Sequence, residues 1–243
     1  MKLKDLFEAK SMPKERSVAD LNKYYDGGIF RCNYERLTSL EGSPDEITGH
    51  FNCSKNLLKT LEGGPSFVKG NFVCFDNQLT DLKGAPERVG GDFECKSNPL
   101  ISLDGAPQHI GKSVICTNTK IKTLKGLPSR IGNDLFCSYN ELTTLEGVPE
   151  HIGGTFTCIS NKLTSLKDIH LQIKSIKGAF EAAYNPIKSH ILGIMLIKGV
   201  NRVVFDFGQI DEIMNRHLGK GRAGMLMAQE ELIEAGLEEF AQL

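Results

Sequence analysis

The chain has 243 residues, a formal net charge of −1 and 24% charged residues, with both signs interspersed. That balance offers no basic footprint, so neither a nucleic-acid nor an anionic-membrane partner is expected. No apolar run is long enough to span a membrane and no signal-peptide pattern is present, so the reading is a soluble, unsecreted protein of the cytoplasm.

Residues 1–28 form a short N-terminal cap in this reading. Met1 to Lys10 suits a short helix, Met12-Pro13 breaks it, and Ser17 caps a second helical start running into Leu21. The expected role is to cover the open edge of the first strand, because terminal repeats need a polar cap.

Residues 29–187 are an array with a 21-residue period. The seven cysteines mark it: Cys32, Cys53, Cys74, Cys95, Cys116, Cys137 and Cys158. Two residues before each stands Phe30, Phe51, Phe72, Phe93, Val114, Leu135 or Phe156. Three residues after stands Asn56, Asn77, Asn98, Asn140 or Asn161, with Glu35 and Thr119 departing from the rule. Two leucine-type columns follow, then Gly-x-Pro, then Ile or Val, from Ile47 to Ile152. Alternation of Phe and Cys with other residues points both to one side of a strand. Identical units then stack their strands in parallel about 4.8 Å apart, giving inward columns of Phe, Cys and Leu. An inward Asn can serve backbone groups that lack a ladder partner. Gly-x-Pro punctuates the return path.

The unit F-x-C-x-x-N-x-L-x-x-L-x-G-x-P-x-x-[IV] resembles the leucine-rich repeat, L-x-x-L-x-L-x-x-[NC]-x-L, with Phe and Cys in its two strand positions. The short period is similar to that of bacterial effector-type repeats. The resemblance implies an α/β repeat fold: a right-handed solenoid with a parallel β-sheet on the concave face and helical closure at the C-terminal end. So short a unit leaves extended or 3₁₀ segments, rather than helices, on the return path.

No C-x-x-C pair exists, so the cysteines follow the fold rather than a metal or a disulfide framework. They read as small buried thiols, kept reduced. Cys74-Phe75-Asp76 matches the C-x-D of ubiquitin ligases attached to some effector-type repeats, but Cys74 belongs to the inward column and no ligase domain follows.

Residues 188–243 form a divergent last repeat and a helical cap, after a variant unit at 178–187 with Ala182 in the cysteine place. That unit arrives 24 residues after Cys158, and the insertion lies in Asp168 to Ile176. Ser189 to Ile197 reads as a helix and Val200 to Phe207 as a final strand. Ile210, Ile213, Met214, His217 and Leu218 form a helical stripe. Gly219 to Gly224 breaks it, and a last helix carries Leu226, Leu232, Ile233, Leu237 and Phe240. The tail from Val203 to Phe240 resembles the C-terminal part of leucine-rich repeat proteins of T4-like tailed phages, which implies a bacterial cell during infection. Leu6-Phe7-Glu8 resembles the L/I-x-E signal of T4-like prohead proteases, although Leu232-Ile233-Glu234 matches it as well. This opens an alternative role as a virion-internal protein packaged through a leader cleaved after Glu8.

The outward strand positions are the candidate surface. Val73, Phe75, Ile115, Phe136, Tyr139 and Ile159 are large and apolar there, with Arg31, Asp92, Glu94, Lys96 and Asp134 among them. Apolar residues flanked by charge suit protein–protein contact. Gly219 to Gly224 is not a phosphate-binding loop, and the histidines show no metal-ligand spacing. The expected function is a non-enzymatic protein-binding scaffold without metal or cofactor, its target a host bacterial or phage protein.

Overall fold

The structure, a computed structural model, describes Tyr25 and residues 28–243. The expected N-terminal cap and the cleavage after Glu8 lie outside the described residues. Two parallel sheets run along the stack. One has nine strands in sequential order, from Ile29–Arg31 to Arg202–Val204. The other has seven two-residue strands, from Glu46–Ile47 to Ser175–Ile176. Each full unit supplies one strand to each sheet. The period sets the register: Phe30 pairs with Phe51, Phe51 with Phe72 and Phe72 with Phe93. Every residue therefore meets its own equivalent, and inward and outward faces never exchange. This is a solenoid of stacked parallel strands that resembles the leucine-rich repeat fold, and its return path is extended, as so short a unit requires.

The interior is a set of one-residue columns. All seven cysteines are fully buried, as are Phe30, Phe51, Phe72 and Phe93. The first four phenylalanine rings stack with centroids 5.2, 5.4 and 5.9 Å apart. Each such pair contributes about 1 kcal/mol beyond its area. Val114 and Leu135 interrupt the stack, and it resumes edge-on at Phe156 and Phe180.

The Asn column is a second spine. The Asn56 Oδ1 accepts the N–H groups of Glu35 and Leu37, both at 3.0 Å, while its Nδ2 donates to the carbonyls of Cys32 and Cys53. Asn98, Asn140, Asn161 and Asn185 repeat the pattern with minor losses. Each amide thus ties two rungs together at a bend where no strand ladder exists. Thr119 is too short for this and only donates to the Asn140 Oδ1. The Thr119→Asn substitution is therefore expected to supply an acceptor for the Asn98 and Leu100 N–H groups. It should raise stability by about 1–2 kcal/mol. Chemical denaturation checks this, and an unchanged or lower midpoint would contradict it.

Gly-x-Pro has a specific cause. The residue after each glycine donates its N–H to the leucine three residues back, as Ala85 does to Leu82 at 2.9 Å. The glycine sits at the third position of that turn with positive φ, 84° at Gly84. That is a type II turn, which disfavours a side chain there.

The C-terminal region corrects several expectations. The segment read as a helix from Ser189 is a short 3₁₀ turn, Leu192–Leu196, preceded by a parallel bridge from Ser189 to Ser165. β-Branched Ile191, Ile194 and Ile197 and the glycine Gly193 give it weak helical propensity. The insertion instead holds a single helical turn, Ile169–Gln172. The final strand is only Arg202–Val204. Ile210, Ile213 and Met214 are buried on the helix Gln209–His217, as their spacing requires. The next helix begins at Gly221, so the break is shorter than expected. Its buried face is Gly224, Met225, Ala228 and Leu232, while Leu226 and Ile233 are exposed.

The helix Gln209–His217 also closes the sheet. The Asn215 side chain accepts from the Val203 N–H at 2.9 Å and donates to the Val203 carbonyl at 2.8 Å. Asp211, one turn earlier, accepts the N–H groups of Phe205 and Asp206. Two side chains on one helical face thus replace the missing next strand and block edge pairing.

Candidate protein-contact face

The outward columns of the nine-stranded sheet hold the expected site residues, and strand register decides which of them touch. The column before the cysteines runs Arg31, Asn52, Val73, Glu94, Ile115, Phe136, Thr157, Glu181, Val204. Ile115 and Phe136 are direct neighbours, and Ile159 lies on the diagonal from Phe136 on the next rung. Diagonal partners on a sheet are within reach of aromatic side chains. Val73, on the earlier strand Phe72–Val73, and Phe75, two residues beyond it, form a second apolar pair. Between these two apolar groups lies the rung of Glu94 and Lys96, whose side chains form an ion pair at 2.5 Å. The apolar set is thus two patches, not one. Both are half-buried rather than protruding.

Phe75 is further covered by charge. The Lys96 Nζ lies 5.0 Å from its ring centroid and the Lys55 Nζ 5.9 Å. Lys55 also sits 4.9 Å from the Tyr34 ring, whose hydroxyl holds the ammonium above its ordinary pKa. An aromatic flanked by cations presents an amphipathic rather than an oily surface. Glu181 and Val204 join the face beside the expected residues, and the Lys55 side chain reaches its margin from the neighbouring column. Lys55 is visible in the sequence columns, whereas the other two need the register through the insertion.

Asp92 and Asp134 have a structural task as well. The Asp92 Oδ1 accepts the Ser113 N–H at 3.0 Å, and the Asp134 Oδ1 accepts the Thr155 N–H at 2.7 Å. His50 Nδ1 and Asn71 Oδ1 do the same for the rungs after them. This column is a rung-to-rung acceptor ladder, so its carboxylates are fixed in orientation. Tyr139 stands outside the strand plane, 63% exposed. Its column, from Tyr34 to Tyr184, has φ of 51 to 63° throughout, which turns these side chains away from the strand rows. The expected continuation of the strand through that column is corrected accordingly. Arg31 lies exposed on the first described strand, two rungs from Val73 and four from Ile115.

The thiols offer no nucleophile. Burial pushes Cys32 and Cys116 up to about 12, and pushes Cys74 well above the ordinary value of 9.0. A thiol held protonated and away from solvent does not attack substrate, which removes the C-x-D chemistry from Cys74. Among the described residues no group of three or more His, Cys, Asp or Glu is placed to hold a metal ion. None of their helices is long and apolar enough to cross a membrane.

No protein-family model and no curated protein sequence matches the chain. Among solved structures, the chain is similar to YopM from Yersinia enterocolitica WA-314, with 17% identity and a TM-score of 0.47. The similarity covers 83% of this chain and 48% of that one, so this chain spans about half the length of that protein.

Proposed function

We propose that the protein is a binding scaffold whose nine-stranded face, expected to be concave, docks another protein. The observation that carries this is the adjacency of Ile115, Phe136 and Ile159 on an open sheet face, beside the fixed Asp134 carboxylate. A central apolar cluster with a polar surround is the usual anatomy of a contact site. The Glu94–Lys96 pair separates this cluster from Phe75 and gives the face a charge pattern that discriminates between partners. The setting is the cytoplasm of a bacterial cell infected by a tailed phage, and the partner is a host or anti-phage defence protein. The likeness of the tail from Val203 to Phe240 to phage repeat proteins supports that part of the reading.

Affinity capture from bacterial lysate tests it. A stoichiometric partner should be retained by the native chain. Phe136→Glu and Phe75→Glu point outward from the sheet and should each reduce capture at least tenfold, with unchanged circular dichroism. Capture unaffected by either substitution would remove the assignment from this face.

A further inference from the structure

The seven-stranded sheet carries a feature that the scaffold reading does not use. Its outward column contains Arg88, His109, Arg130 and His151 on four successive rungs. The alternate positions, Val89, Ile110 and Ile131, are buried, so the cationic and imidazole side chains project outward. Beside them runs a glycine row. A Cβ on Gly111 would lie 2.3 Å from the Gly90 carbonyl oxygen, and one on Gly132 would lie 1.9 Å from that of Gly111. The close approach of successive rungs keeps this row bare. The result is a groove of about 580 Å³ with a glycine floor, an Arg–His–Arg wall and Phe67 at one end.

Glu46 stands in the same column two rungs from Arg88, beyond Phe67. Among the described residues no carboxylate forms an ion pair with Arg88 or Arg130; Glu150 is taken by Lys174. Glu87 precedes Arg88 in the chain without pairing to it, and Lys112 adds a further exposed cation nearby. Stacked like charges cost stability, and the imidazole between the two guanidinium groups spaces them. Two rungs place the Cα atoms of Arg88 and Arg130 roughly 9.6 Å apart, within which both guanidinium groups can settle at a similar spacing. An extended polyproline II segment repeats every three residues with a rise of about 3.1 Å each, so side chains at i and i+3 lie about 9.3 Å apart on one face. Carboxylates at that spacing match both guanidinium groups, each of which can hold one bidentately. Nucleic acid fits less well. Among the described residues lining the groove, Phe67 and the His109 imidazole are the rings a base could stack on, and they lie at separate rungs rather than forming a continuous stacking platform. The chain as a whole carries no positive field.

We infer that this groove is a second docking site, on a different face from the apolar cluster, for an extended acidic peptide segment with carboxylates at i and i+3. The test is fluorescence anisotropy with labelled (Glu-Pro-Pro)₄ at low ionic strength. Saturable binding is expected, weakened at least tenfold in Arg88→Gln/Arg130→Gln and unchanged in Phe136→Glu. Both arginines are exposed, and circular dichroism of the double variant confirms its fold. A peptide of the same composition with adjacent glutamates, (Glu-Glu-Pro-Pro-Pro-Pro)₂, should bind several-fold more weakly. Absence of saturable binding overturns the inference, as does equal binding by the double variant or by the respaced peptide. Tighter binding of a twelve-residue oligothymidylate than of the peptide also overturns it.

Discussion

Raising the pH from about 8 to about 10 is expected to cost the native state roughly 10 kcal/mol. The cause is the cysteine column. Each of the seven thiols is buried, and burial raises its pKa above the ordinary 9.0. In the unfolded chain the thiols ionise from that ordinary value upward, whereas in the native stack they stay protonated. The unfolded state then binds fewer protons, so stability falls as pH rises. The loss starts near 9.0 and continues until the native groups themselves titrate, at about 12 for Cys32 and Cys116. One thiol contributes about 1.4 kcal/mol per pH unit in that window, and the column multiplies it. Denaturant midpoints measured across the range check this. Cys137→Ala isolates the thiol share, since Ala182 already occupies the same place in the eighth rung. That variant should show a pH dependence smaller by about 1.4 kcal/mol per unit. A dependence identical to that of the native chain would contradict the assignment.

Asn98→Leu is expected to destabilise by about 3–5 kcal/mol, more than the same change at Asn77. The side chain is 3% exposed and serves groups on both sides. Its Oδ1 accepts the Asn77 and Leu79 N–H groups at 3.1 and 3.2 Å. Its Nδ2 donates to the Cys74 and Cys95 carbonyls, both at 3.0 Å. Cys74 keeps a second donor in Asn77. Cys95 does not, because the next rung has Thr119 where the other units place Asn. Leucine would therefore strand two N–H groups and a carbonyl in the interior, each costing roughly 1–3 kcal/mol. At Asn77 the Cys53 carbonyl retains Asn56, so less is left unmade. Thermal or chemical denaturation ranks the two variants. Equal losses, or a larger loss at Asn77, would show that the amides do not act through shared carbonyls.

The solenoid was legible because most inward roles are filled by one residue type at one interval. Phe, Cys, Asn and Leu each mark a column, and a column is visible wherever the residue returns every 21 positions. The candidate face was legible in part. The outward residues could be named, but not grouped. Glu94 and Lys96 read as two charges on a surface, and only their ion pair shows that they divide the apolar set. Asp92 and Asp134 read as charges among the apolar residues, and only their bonds to the next rung reveal the ladder. The row of Arg88, His109, Arg130 and His151 had a signal, since each immediately precedes an inward Val or Ile, and reading that register as a column exposes it.

The chain alone determined the period, the inward columns and the pairing register, since a repeat that meets its own copy leaves one way to stack. Tertiary structure decided what the copies do not share. Asn215 and Asp211 closing the last edge, the 3₁₀ turn at Leu192–Leu196 and the buried side of the helix Gly221–Glu234 arise where the repeat ends. There each backbone group finds a partner unlike the one its equivalent has, and only the folded arrangement specifies which.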